Sequence, residues 1–447
     1  MRTVLAVIAF ASVPGWLLAQ PAPVAPPPAP APLPPGQVVA TSLPAADGEP
    51  AALPGGKDVS QPLQPVGAAA ADPPTPTAPA APAPPPLKAI PSEKVHGPLG
   101  PNWDDFQLLY WWPDRPPVPA LVYGNNSGLP PLRGATDTRV LAGGHAIDSQ
   151  PSAGGRFTMG YSIDTAETVG IEGSYLFLGT RTLRQHVRNA ADVQSFGLPY
   201  TNATTGASEI LTLARPGVAD AALVLSTAVR VQGWEVNTVA NVLDEKHVKV
   251  NALMGWRYFQ VHEGLRVEQT QLRYAPDAAV YRTADQFDAH NRFHGGQLGL
   301  HTDMTRGAVF CEMTAKVAFG QTYEVVKQEG MSILQTAATR VYGGSGIYVQ
   351  PSSAGRTANG VFAVVPEGTV KVGFRVGDAG RLFVGYSFIY LSDAVRPGDQ
   401  IDRTLNPAQV PLVSGTGPVY GSDRPSRLFN RSDFWAQGLI IGLETRY

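Results

Sequence analysis

From residue 104 to the C-terminus, segments in which every second residue is apolar are separated by connections that alternate strictly between long and short. In Gly155–Tyr161 the residues Phe157, Met159 and Tyr161 face one way, and Arg156, Thr158 and Gly160 the other. Val370, Val372, Phe374 and Val376 oppose Thr369, Lys371, Gly373 and Arg375 in the same way, and Leu382, Val384, Tyr386, Phe388 and Tyr390 repeat it. A period of two is that of a strand with unlike faces. The pattern predicts ten strands, over 104–112, 154–162, 167–179, 226–240, 246–261, 291–303, 307–327, 367–377, 380–392 and 432–447. Connections after odd-numbered strands are long (113–153, 180–225, 262–290, 328–366, 393–431), and those after even-numbered strands are short (163–166, 241–245, 304–306, 378–379). Short periplasmic turns and long external loops are the habit of bacterial outer-membrane barrels; a soluble sandwich has no reason to keep it. The reading is an all-β fold, a single antiparallel transmembrane β-barrel over 102–447 with both ends in the periplasm. It has about ten to twelve strands, twelve if 265–272 and 360–365 are separate strands.

The last strand runs from Trp435 into the terminal aromatic Tyr447, which resembles the ending that the barrel-assembly machinery reads. Aromatics at predicted strand ends, Tyr110, Trp111, Trp112, Tyr161, Tyr258 and Tyr390, suit girdles at the lipid–water interfaces; ordinary core packing is the alternative. After Trp103 no run of about eighteen apolar residues occurs, so helical spans are excluded there.

Composition divides the chain ahead of this region. Its 43 prolines crowd the first quarter. Residues 20–101 are expected to form a disordered, Pro/Ala-rich periplasmic linker, because such a segment has no apolar periodicity and favours extended polyproline II. It reads as a tether with cell-wall contact or as a passive spacer. Arg2, the apolar run Val4–Ala11 and the helix-breaking Pro14-Gly15 read as a signal peptide over 1–19, cut before Gln20. A net charge of −2 argues against nucleic acid as a partner, and outer-membrane lipid is the expected surrounding. The single cysteine, Cys311, excludes an intramolecular disulfide framework and a cysteine-rich zinc site.

Four segments carry a resemblance: Phe106–Trp112, Ile171–Leu178, Leu253–Tyr258 and above all Asn291-Arg292-Phe293-His294-Gly295-Gly296-Gln297. They resemble a planctomycete-type "putative beta-barrel porin" family, over about Asn102 to Tyr447. The resemblance implies a porin fold and carries no catalytic residue with it.

No histidine is followed by the His-x-Ser pattern of barrel lipases, and Asp288-Ala289-His290 is the nearest approach to a rim acid–histidine pair. His290 and His294 are four apart, a helix spacing for zinc that falls here on strand or loop. No catalytic residue, metal ligand or cofactor is expected, and the chain does not read as an enzyme. If the apolar faces meet lipid, Arg156, Glu172, Arg230, Lys249, Arg257, Glu312, Lys316, Lys371, Arg375, Arg446 and Glu444 line a net-positive lumen. One reading is a narrow porin for small solutes with a weak anion preference. The other is a barrel plugged by internal salt bridges, serving as an anchored surface structure. Glu235 shares the face of Val229 and Val231, an inconsistency that demands a bulge or a rim position.

Overall fold

The structure, a computed structural model, describes residues 102–446 except 115, 145–149, 165, 167, 190–193, 277, 378 and 411–420. The expected signal peptide, the linker over 20–101 and the terminal Tyr447 lie outside the described residues. The strands in chain order are β1 (Asn102–Pro113), β2 (Val122–Asn125), β3 (Arg139–Ala142), β4 (Ser152–Ser162), β5 (Val169–Arg188), β6 (Ser195–Asn202), β7 (Ser208–Ala214), β8 (Ala219–Asp244), β9 (Val248–Arg273), β10 (Ala279–Arg306), β11 (Val309–Gln335), β12 (Arg340–Gly343), β13 (Gly355–Val376), β14 (Gly380–Val395), β15 (Thr404–Leu405) and β16 (Arg431–Arg446).

Ten of these, β1, β4, β5, β8, β9, β10, β11, β13, β14 and β16, pair antiparallel in that order. The ring closes where β16 returns to β1, with Trp103 opposite Arg446. Closure leaves no edge with unpaired N–H and C=O groups, the condition a sheet must meet in hydrocarbon. Each predicted strand overlaps one ring strand, and both ends of the ring lie beside the short turns. The count is ten rather than twelve, because 265–272 continues β9 and 360–365 continues β13.

The long connections are shorter than the sequence pattern suggests. β9 and β10 pair without a break from Val248↔Met304 to Arg273↔Ala279, so most of 262–290 is ladder. The physical reason lies on the outer face. Near the turns it is apolar, with Met254, Trp256, Leu298, Leu300, Phe319 and Phe362 exposed. Farther along the same strands it carries Gln260, His262, Arg266 and Glu268, and the alternation that marks a strand fades while pairing continues. Tyr110 and Tyr161 face outward as expected, whereas Trp111 points inward and is fully buried. The turn from β4 to β5 is closed by Asp164, whose carboxylate accepts from Thr168 Oγ1 at 2.6 Å and from the amides of Thr168 and Val169 at 2.9 Å each. These donors hold its pKa at about 2.

At the opposite end the chain folds back over the ring. β15, β6, β2 and β3 form a second sheet, with β7 paired to β6. Its buried face, including Val122, Phe196, Leu198 and Leu213, shares one apolar cluster with Leu223 and Leu225 of β8, Leu265 of β9 and Phe287 of β10.

Candidate functional site

The interior of the ring is the site the sequence points to, and it is filled. Nearest the short turns, Lys371 bonds Asp105 at 2.5 Å and Glu312 at 3.3 Å. Arg381 bonds Asp303 and Glu312, both at 2.8 Å. Arg446 is paired with Glu444 and lies 3.7 Å from Asp303. Farther in, Glu367 is ion-paired with Arg156 at 2.5 Å and accepts from Arg257, with Lys316 at 3.6 Å. Glu235 accepts from Arg257 and from Lys316, the latter at 2.5 Å. Glu172 accepts from Asn237 at 2.9 Å. Trp103 lies across Gly160 so closely that a Cβ there would sit 1.9 Å from its ring. These groups leave a polar cavity of about 90 Å³, lined among others by Asn251, His301 and Glu172. That is room for a few waters.

Beyond the charges the interior turns apolar. Leu109 and Trp111, Leu178, Val231, Val261, Phe293, Ala318, Ala363 and Val365, Leu391, and Phe434 and Ala436 pack into one buried cluster. Nine of the ten ring strands contribute to it, β4 being the exception. Guanidiniums cover it on both sides, with Arg156 5.8 Å from the Trp111 ring centre and Arg396 5.5 Å from that of Phe434. Arg396 is itself buried, bonded to Glu263 at 2.6 Å and Asp114 at 2.8 Å. Such placement satisfies charges that burial would otherwise penalise.

Of the lumen candidates, Arg156, Glu172, Lys249, Arg257, Glu312, Lys316, Lys371, Glu444 and Arg446 face the interior. Lys249 is buried and pairs with Asp244 at 3.2 Å. Arg375 keeps the inward parity but sits exposed at the turn rim, opposite Arg381. Arg230 is a correction: it is exposed on the outer face, in register with His262, and its guanidinium donates to Gln232. The same inversion removes the Glu235 inconsistency without a bulge at that point. Val231 and Glu235 both face inward because that stretch of β8 lines an apolar interior, so the apolar parity there is not the lipid face.

The expected net-positive lumen is also corrected. Asp105, Asp303 and Glu367, outside the expected set, and Glu235, expected at a bulge or the rim, also face inward, so that Arg156, Lys249, Arg257, Lys316, Lys371, Arg375, Arg381 and Arg446 are nearly balanced by these four with Glu172, Glu312 and Glu444. Glu367 lies four residues from Lys371 and shares its parity, a signal present in the sequence, whereas Asp105, Glu235 and Asp303 have no expected lumen residue two or four positions away.

At the far end, Asp285 of β10 is buried and accepts from the amides of Ile347 at 3.0 Å and Val349 at 2.8 Å. It pins the 346–350 segment against the barrel core. Burial raises its carboxyl pKa to about 6, partly opposed by these amides. The folded state then holds the proton more tightly than the unfolded chain, so this stabilisation is full below about pH 4 and lost as pH rises through about 6. The shift corresponds to about 3 kcal/mol. Amide exchange at Ile347 and Val349 should therefore show less protection at pH 7.5 than at pH 4.5 after correction for intrinsic rates. Asp285→Asn should flatten that dependence, and an unchanged profile would show the reasoning wrong.

No curated protein sequence matches the chain. Among solved structures, the outer membrane protease OmpT from Escherichia coli is similar at 7% identity and TM-score 0.38, covering 79% of this chain and 99% of that one. The toluene transporter TodX of P. putida is similar at 8% identity and TM-score 0.19, covering 78% and 91%. At such scores neither likeness carries chemistry or transport across. The family model described as "Putative beta barrel porin-7" matches residues 103–447, the whole of the ring and its cap. The chain belongs to the putative beta barrel porin-7 family.

Proposed function

We propose that the protein is a sealed outer-membrane barrel that anchors a folded external platform, with residues 20–101 as a periplasmic tether. The observation that carries this reading is the buried apolar layer: Trp111, Val231, Val261, Phe293 and Phe434 are 0% exposed, which walls of a water-filled channel would not be. Ten strands enclose little more than the eight whose side chains fill a barrel. The exposed apolar band and the family support an outer-membrane setting. On this reading the C-terminal strand is what the barrel-assembly machinery engages, and the protein performs no catalysis.

The competing reading is a narrow porin, as the family's description suggests, with the anion preference expected from the sequence. The polar cavity near the turns is the observation in its favour. It ends at the apolar layer, and its fixed charges are nearly balanced. Planar-bilayer recording of the full chain decides between the two. Insertion without a steady ion current is the expected result, and a reproducible open-channel current would overturn the sealed reading.

A further inference from the structure

The outer wall carries a site that neither the interior nor the cap explains. On β9, β10, β11 and β13 the cross-strand register brings Trp256, Gly296, Phe319 and Val364 into one outward row. The next row holds Tyr258, His294, Gln321 and Phe362. Because Gly296 lacks a side chain, these rows form an open groove of about 440 Å³, walled by the stacked Trp256–His294 rings on one side and by Phe319 and Phe362 on the other. Gly296 lies ten residues from Arg306 at the turn. At ~3.3 Å per residue and a tilt of ~40° this is about 25 Å, the height of a barrel's apolar band. The groove therefore sits at the band's upper edge.

Directly above it the same face becomes cationic. Arg292 of β10 follows His294 one row up. One row farther, Arg230 of β8, His262 of β9 and His290 of β10 lie side by side, the two imidazoles stacked with ring centres 3.8 Å apart. Asp288 is the acid of the next row, with Gly264 on one side and Lys327 on the other, and Arg356 beyond Lys327. An apolar slot continuous with a basic rim matches a molecule that is apolar at one end and anionic at the other.

Resting on the membrane-barrel reading, we propose that this wall holds one phosphate-bearing membrane lipid, an acyl chain in the Gly296 groove and the phosphate at Arg292 and Arg230. The cations then contact the lipid instead of a carboxylate, and charge near a membrane surface favours an anionic headgroup. The Asn-Arg-Phe-His-Gly-Gly block thereby combines a headgroup contact and a groove floor.

Native mass spectrometry of the full chain in detergent, titrated with phosphatidylglycerol or phosphatidylcholine of identical chains, tests this. The expected result is one retained phosphatidylglycerol at roughly tenfold lower lipid concentration than phosphatidylcholine. Arg230→Gln with Arg292→Gln should abolish the preference while some lipid is still retained. Gly296→Leu fills the groove and should reduce retention of both lipids; its Cβ would meet only Gly255 O at 4.0 Å, so the barrel tolerates it. Equal retention of the two lipids by the parent would overturn the proposal. So would a Gly296→Leu variant that loses a dimer and not a lipid, since the groove would then hold a second copy. Insertion of the parent into vesicles, read by protease protection of the ring, is scored separately. Failure there would refute the membrane reading, whereas insertion without lipid preference would refute only this site.

Discussion

Replacing Glu367 by alanine should lower the stability of the barrel by about 3–5 kcal/mol, the cost of breaking a buried ion pair from one side. Glu367 receives Arg156 and Arg257 directly and faces Lys316 at 3.6 Å. Without it, three buried cations share Glu235, whose two oxygens are already used by Arg257 and Lys316. The small cavity beside Arg156 and Lys316 holds only a few waters and ends at the apolar layer, so water replaces the carboxylate only in part. Glu367→Gln, which keeps shape and loses charge, should fall between alanine and the parent. The pair Lys327 and Glu329 on the outer face provides the contrast: bonded at 2.6 Å but half exposed, it should show no resolvable effect when either partner becomes alanine. Urea unfolding in micelles, followed by tryptophan fluorescence, reads all of these. A Glu367→Ala barrel within ~1 kcal/mol of the parent would mean that the interior is wet, and the sealed reading would fall with it.

How much of this was legible beforehand depends on which face of a strand the residues reported. Lipid demands apolar side chains without exception, so Phe157, Met159, Tyr161, Val370, Val372 and Phe374 disclosed strands, parity and ring order unaided. The same rule assigns Arg156, Arg257 and Lys371 to the inner face, and all three are buried. The rule fails where its premise does. Above the membrane band both faces of a strand can be mixed, which is why Arg230 was turned inward and why β9 and β10 were cut near His262 and His290. Trp111 was assigned to a girdle because a sequence of three aromatics, Tyr110-Trp111-Trp112, does not say which one breaks parity. Its burial depends on contacts from strands far away in the chain, such as Phe293, Phe434 and Ala363, which no local pattern announces. The His262–His290 stack is of the same kind, since it exists only through the register of two strands.

That layer of distant contacts sets the second large effect. Trp111→Ala should destabilise the barrel by about 3–5 kcal/mol, because it deletes the largest fully buried side chain and the barrel wall cannot collapse into the space. The loss extends to Arg156, which lies against the Trp111 ring while bonded to Glu367. Phe434 stands in the same relation to Arg396 on the other side of the layer. With both rings replaced by alanine, the two guanidiniums are separated by open space instead of hydrocarbon, and water bridges the polar cavity and the Glu263–Arg396 cluster. A silent parent and a conducting Trp111→Ala/Phe434→Ala barrel, each verified as folded by its gel shift on heating, is therefore the expected pair of recordings. A folded double variant that remains silent would move the seal from the apolar layer to the external cap. The loops around Asp285 and Tyr348 would then hold the barrier, and deleting the 344–354 segment in the same variant should be what opens it.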